Sequence, residues 1–178
     1  MVVELHPFQQ EDIPRLVSWI DNEPLLVQWS GNTFQFPFTI EQYSEYFERV
    51  IKTPLPNYIW KGIERNSGEP VGHIELCEVN LERKTGKLAR VLVPPQFQGK
   101  GVATQMITQV LNIAFMKFGL DTITLNVVIF NLPAIACYKK VGFQIVKTEN
   151  DRIKIGGKSW SSYRMELKRS TWEYTKKG

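Results

Sequence analysis

Apolar residues recur along this chain with two periods, and each change of period marks an element. Val2-Val3-Glu4-Leu5-His6 reads as an opening strand. A helix follows, with Asp12 as its cap, Pro14 at an early helical position, and Leu16, Val17, Trp19 and Ile20 on its apolar face. Asp21-Asn22-Glu23-Pro24 closes or kinks that helix. Residues 25–38 then read as a long loop, in which Leu25, Leu26, Val27, Trp29, Phe34, Phe36 and Phe38 stand among Gly31, Asn32 and Pro37. A loop so rich in aromatics is buried under the fold or lines a pocket. Thr39 and Gln42 form a capping box for a second helix with Ile40, Tyr43, Phe47, Val50 and Ile51 on its apolar side, ended by Pro54 to Pro56.

Asn57 to Glu64 and Val71 to Val79 alternate about the turn at residues 65–69, which predicts a hairpin. Thr85-Gly86 turns into a strand that ends at Val93 before Pro94-Pro95. From Val102 the spacing becomes three and four, through Met106, Ile107, Val110, Leu111, Ala114, Phe115 and Phe118, until Gly119 caps the helix. Thr122 to Phe130 is a β-branched run suited to a buried strand, and Pro133 to Lys140 is a helix stopped by Gly142. Phe143 to Thr148 and Ser161 to Leu167 make two last strands around the Gly156-Gly157 turn. This order predicts an α/β (α+β) fold, a mixed sheet with helices on both faces. Residues 1–168 form a single domain, and 169–178 a tail that packs Trp172.

A length of 178 residues suits one domain with a sizeable core. The net charge of +4 mildly favours anionic ligands, but no Lys/Arg run is dense enough to argue for nucleic acid. Cys77 and Cys137 have no metal spacing, and a lone pair is no disulfide framework; a reducing, cytoplasmic setting without a bound metal follows. No apolar run reaches the ~18 residues of a membrane span, and no basic-then-apolar signal follows Met1. The oligomeric state, monomer or homodimer, stays open.

The stretch Gln98-Gly99-Lys100-Gly101-Val102-Ala103 carries the chemistry. A strand, a glycine loop and a helix N-terminus together make an anion site, because the first-turn N–H groups lack intrahelical partners and the helix dipole adds positive charge. Glycines let the main chain approach a phosphate, and Lys100 adds a mobile cation. The P-loop pattern Gly-x4-Gly-Lys-Ser/Thr is absent. A dinucleotide fingerprint would need glycine where Thr104 stands and an acid after the next strand, whereas Asp121 precedes it.

The better match is Gln-x-x-Gly-x-Ala at Gln98, Gly101 and Ala103, followed by the segment from Leu125 through Asn131, Pro133, Ala134 and Tyr138 to Gly142-Phe143. Here the sequence resembles the GCN5-related N-acetyltransferase superfamily. The N-terminal helices, the hairpin and Ser162-Tyr163-Arg164-Met165 resemble its branch acting on ribosomal-protein N-termini and small amines. The resemblance implies a mostly antiparallel seven-stranded sheet, splayed where cofactor and acceptor meet. It implies acetyl-coenzyme A as co-substrate, its pyrophosphate held by the loop from Gln98 to Thr104 and its pantetheine arm by the main chain of Val91, Leu92 and Val93. Asn131 and Ala134 then touch the cofactor, and Tyr138 protonates the departing thiolate. The acceptor is a small-molecule amine or a protein N-terminus; a non-catalytic acyl-coenzyme A sensor is the alternative.

A phenol, with an ordinary pKa of about 10, holds its proton at neutral pH and can serve as that acid; packing in the core is the other reading of Tyr138. The base is less well marked, since Leu88 to Leu92 holds no glutamate. Glu75, acting through water, is the candidate; His73 shares its face of the strand, and loss of the proton to water needs no dedicated base. Arg90 attracts an acidic acceptor or pairs with a carboxylate. Trp29 and Phe34 wall the acceptor pocket or fill the core. Cys137, beside Tyr138 with no histidine nearby, reads as a buried small hydrophobe rather than a nucleophile.

Overall fold

Seven strands share one sheet in the order β1-β2-β3-β4-β5-β7-β6 in the computed structural model, which describes residues 1–54 and 57–175. They are β1 (Val3–Pro7), β2 (Tyr58–Glu64), β3 (Pro70–Asn80), β4 (Thr85–Leu92), β5 (Thr122–Val128), β6 (Gln144–Ile155) and β7 (Lys158–Lys168). Every neighbouring pair is antiparallel except β4 and β5. The predicted class, strand count and mixed sheet all hold. No helix among the described residues is long and apolar enough to cross a membrane.

Strand alternation divides the interior into two cores. Ile74 and Leu76 of β3 face α4 (Val102–Asn112), which packs with α5 (Leu132–Val141) and α6 (Arg169–Thr175). The intervening His73, Glu75 and Cys77 are buried on the opposite face. That face is covered by α1 (Ile13–Ser18), α2 (Glu23–Ser30) and α3 (Ile40–Ile51), with Phe8, Trp29, Phe34, Phe38 and Tyr43 in its core.

Helix α4 lies unusually close to the sheet. A Cβ built on Gly62 would stand 2.6 Å from Met106 Sδ, and one on Gly72 would stand 2.5 Å from Met106 Cε, so glycine makes room for the helix. The same helix blunts the edge of β1: Gln105 Oε1 accepts from Val3 N at 3.0 Å, and Gln109 Nε2 donates to the Val3 carbonyl at 2.8 Å. After Asn112 the helix widens into a π turn over Ile113–Lys117 and stops at Gly119, whose φ of 67° is left-handed.

Several sequence expectations need correction. Asn22-Glu23-Pro24 opens a helix rather than closing one: Asn22 accepts from Leu25 N at 2.9 Å and Pro24 sits in the first turn. The aromatic loop therefore shrinks to residues 31–38. Asp12 caps nothing with its own helix; it accepts from Gln9 N and Lys61 Nζ, and pairs with Arg15. Thr39 does cap α3, but the Gln42 side chain turns to the loop at Gln35 and Pro37 instead of completing a box. Ile40 and Ile51 lie at the surface, and Tyr46 takes the buried position. The tail is helical to Thr175 and seats Trp172 beside Phe115. Pro56 and residues 176–178 lie outside the described residues.

Candidate active site

The sheet opens between β4 and β5. Their parallel ladder covers only Thr85–Lys87 against Thr122–Thr124, and beyond it the two strands separate. On its other side, β4 shifts register against β3, since His73 faces Leu92 while Glu75 faces Ala89. The extra residue makes a bulge, with Arg90 held at a left-handed φ of 49°. Val91, Leu92 and Val93 thus put their main chain on the edge of the gap.

His73 fixes the bulge. Its Nδ1 lies 2.9 Å from the Arg90 carbonyl, which can only accept, so Nδ1 carries the hydrogen. Burial lowers the His73 pKa and favours the neutral ring. The Tyr43 hydroxyl then stands 3.0 Å from His73 Nε2 and 2.9 Å from Glu75 Oε1, with one hydrogen for two acceptors. Tyr46 donates to Glu75 Oε2 at 2.6 Å, and Arg90 reaches the same oxygen at 3.1 Å with its guanidinium 4.5 Å from the Tyr46 ring. Burial first, and then the Glu75 charge, raises the pKa of both phenols and pushes the Cys77 thiol up to about 12. Burial disfavours charge on Arg90 too, but Glu75 more than offsets it.

This arrangement corrects the reading of Glu75 as a water-accessible base. Its side chain is fully buried and its oxygens are occupied by Tyr43, Tyr46 and Arg90. Arg90 is a partner of that carboxylate, as one of its two readings had it. Tyr43 and Tyr46 were missed as polar groups; their signal is two phenols three residues apart on a buried helical face, opposite a His-x-Glu-x-Cys stripe.

Just beyond the end of β4 lies the glycine loop. A short 3-10 turn at Pro95–Phe97 leads into it, and Gln98 Nε2 donates back to the Val93 carbonyl at 2.9 Å, tying the loop to the end of β4. Gly99 and Gly101 have φ of 73° and 76°, which favours glycine at both positions. Helix α4 has no side-chain cap, and its first main-chain bond runs from Gln105 N to the Gly101 carbonyl. The N–H groups of Val102, Ala103 and Thr104 thus have no intrahelical partner. A Cβ on Gly99 would meet nothing within 4 Å, and one on Gly101 only Gln105 Nε2 at 3.9 Å. The space in front of the loop is open, and its donors fit a diphosphate. Lys100 lies over the Phe97 ring at 5.8 Å.

Asn131 caps α5 by accepting from Ala134 N at 3.3 Å. Two turns on, Tyr138 is half-buried with its ring edge-on to Phe143, and burial raises its pKa, which keeps the phenol protonated. Cys137 is half-buried rather than buried. Its Sγ lies 3.4 Å from Thr104 Oγ1, which sets the helix of Tyr138 beside the first turn of α4.

On the face covered by α2, the gap opens into a cavity of about 390 Å³. Trp29 and Arg90 are among its lining residues, whereas Phe34 stacks on Trp29 at 5.9 Å and is not. Lys87, Asn126, Arg152 and Ser162 also line it and were not foreseen. Asn126 and Ser162 were visible as polar residues within predicted strands; Arg152 gave no signal.

Over residues 3–144 the chain matches the family model described as an acetyltransferase (GNAT) domain. It is 26% identical over 164 residues to the spermidine N(1)-acetyltransferase of Escherichia coli K12, covering 92% of this chain and 84% of that protein. It is 32% identical over 141 residues to the Vibrio cholerae protein of the same name, covering 78% and 77%. It is 27% identical over 125 residues to the N-alpha-acetyltransferase MAK3 of Arabidopsis thaliana, covering 67% and 60%. The fold superposes on the crystal structure of Vibrio cholerae spermidine N-acetyltransferase with CoA and spermine at a TM-score of 0.83 and 21% identity, covering 96% of this chain and 98% of that one.

Proposed function

The chain belongs to the GNAT acetyltransferase family, as an acyltransferase that uses acetyl-coenzyme A, and we propose that it passes the acetyl group directly to a primary amine held in the cavity beside α2. One observation carries this reading. The gap between β4 and β5 has an uncapped, glycine-led helix N-terminus at one side and a half-open cavity at the other, so donor and acceptor can meet between the strands.

Acetyl-coenzyme A brings an acetyl thioester: the amine nitrogen forms the new C–N bond, the C–S bond breaks, the amine loses a proton and the sulfur gains one. The N–H groups of Val102, Ala103 and Thr104 hold the pyrophosphate, with Asn131 and Ala134 at the neighbouring helix end. The main chain of Val91, Leu92 and Val93, freed from β5, orients the pantetheine arm and donates to charge developing on the carbonyl oxygen. Tyr138 holds a proton at Oη for the departing sulfur. Glu75 supports the site without touching the amine, by anchoring Arg90 and the bulge, and the amine's proton leaves to water in the cavity. The acceptor is a small molecule or a protein N-terminus; of the relatives, one is named for spermidine and another as an N-alpha-acetyltransferase.

Thiol release from acetyl-coenzyme A across a panel of amines tests this reading. Release that depends on an amine and saturates with it is the expected result. Normal coenzyme A binding with no release for any amine would instead favour an acyl-coenzyme A sensor, a reading motivated by the missing glutamate between Leu88 and Leu92.

A further inference from the structure

Three buried donors without a partner belong to residues that line the acceptor cavity. Trp29 Nε1, Arg90 Nε and Ser162 Oγ have no hydrogen-bond partner among the described residues, and all three side chains line this cavity. Trp29 is 7% exposed and Ser162 is 1% exposed, so bulk water does not satisfy them. An indole N–H and a guanidinium N–H can only donate, and a hydroxyl can donate as well. Leaving such groups buried and unpaired is costly, and the cost is recovered when a ligand supplies acceptors.

The charges point the same way. Lys87, Arg90 and Arg152 line the cavity, and no aspartate or glutamate is among its described lining residues. Each cation has a carboxylate partner, but those partners, Glu78, Glu75 and Glu149, do not line the cavity. The charged residues of the lining are thus all basic. A polyamine would bring two or more ammonium groups to a wall of donors and cations, and would find no carboxylate there.

We infer that the acceptor is a primary amine carrying an anionic group, a carboxylate or a phosphate, a few bonds from the nitrogen. The anion lies on Ser162, Trp29 and Arg152, and the nitrogen is left to face the gap between β4 and β5. The cavity volume suits a molecule of amino-acid or amino-sugar size. This assignment rests on the transferase reading above and deepens it.

The test uses the full chain in paired assays. Each anionic amine is compared with its neutral counterpart: amino acids with their amides, glucosamine 6-phosphate with glucosamine, phosphoethanolamine with ethanolamine. Spermidine is run alongside. The best anionic member should exceed its neutral counterpart by about tenfold or more in kcat/KM, the scale of one charge-assisted contact. The amino-acid and phosphate arms tell which anion is used. Ser162→Ala and Arg152→Gln should each raise KM for that amine about fivefold or more, leaving kcat and the KM for acetyl-coenzyme A near their starting values.

Spermidine or a neutral counterpart reacting as well as the anionic amine overturns the inference and leaves the transferase standing. Calorimetry in the presence of coenzyme A separates the converse case. Selective binding of an anionic amine with no thiol release would refute the transferase and keep the assigned ligand class. If no anionic amine binds or reacts, the inference falls.

Discussion

His73 holds the Arg90 carbonyl through its Nδ1 hydrogen at 2.9 Å, and that one contact takes the carbonyl out of the β3–β4 ladder where β4 bulges toward the gap. The ring is fully buried, so its protonation is linked to folding.

Stability should therefore depend on pH through His73. Its pKa is lowered from an ordinary 6.5 by burial, so below that value the unfolded chain binds a proton that the folded chain does not. Stability from this group is complete above pH 6.5 and declines as pH falls toward the lowered folded value, by at most about 1.4 kcal/mol per pH unit. Urea midpoints at pH 7.5, 6.5 and 5.5 should fall for the wild type and fall less steeply for His73→Leu. Parallel slopes would show that the ring titrates alike in both states.

Tyr138→Phe keeps the edge contact with Phe143 and removes only the hydroxyl. Turnover should drop by about 100-fold with the KM for acetyl-coenzyme A within about twofold, the pattern of a lost general acid. Steady-state kinetics on a responsive amine measures both. An unchanged kcat would leave Tyr138 as a packing residue.

Gly101→Val should weaken coenzyme A binding by about 100-fold or more. A β-branched residue is strained at a φ of 76°, and its side chain would stand in the open space before the α4 amides. Titration calorimetry with coenzyme A, on protein with an unaltered circular dichroism spectrum, is the measurement. Wild-type affinity would move the diphosphate site away from this loop.

Gly72→Ala tests the close seating of α4. The added methyl would meet Met106 at 2.5 Å and the Leu92 carbonyl oxygen at 3.0 Å, so an overpacking cost of about 1–3 kcal/mol is expected. Thermal unfolding should shift down by several degrees, and Met106→Leu in the same chain should restore part of the loss. No shift would mean that the helix moves aside freely.

What the sequence determined by itself is what its local chemistry dictates. The glycines at 99 and 101, the apolar stripe from Val102 and the Asn131 cap each act within a few residues, and the loop, α4 and α5 stand where those signals put them. Even α2 had its signals, an asparagine cap and a first-turn proline, although their place after an apolar helix made them read as a stop. Tertiary structure decided everything that depends on which side chains meet. Glu75 became an anchor because two phenols of α3 and a bulged arginine close over it, and neither the bulge nor the helix position is written in the strand's own alternation. The cavity joins α2 to strands more than ninety residues further along the chain. The unpartnered donors of its lining residues are a property of long-range packing, which periodicity along the chain does not encode.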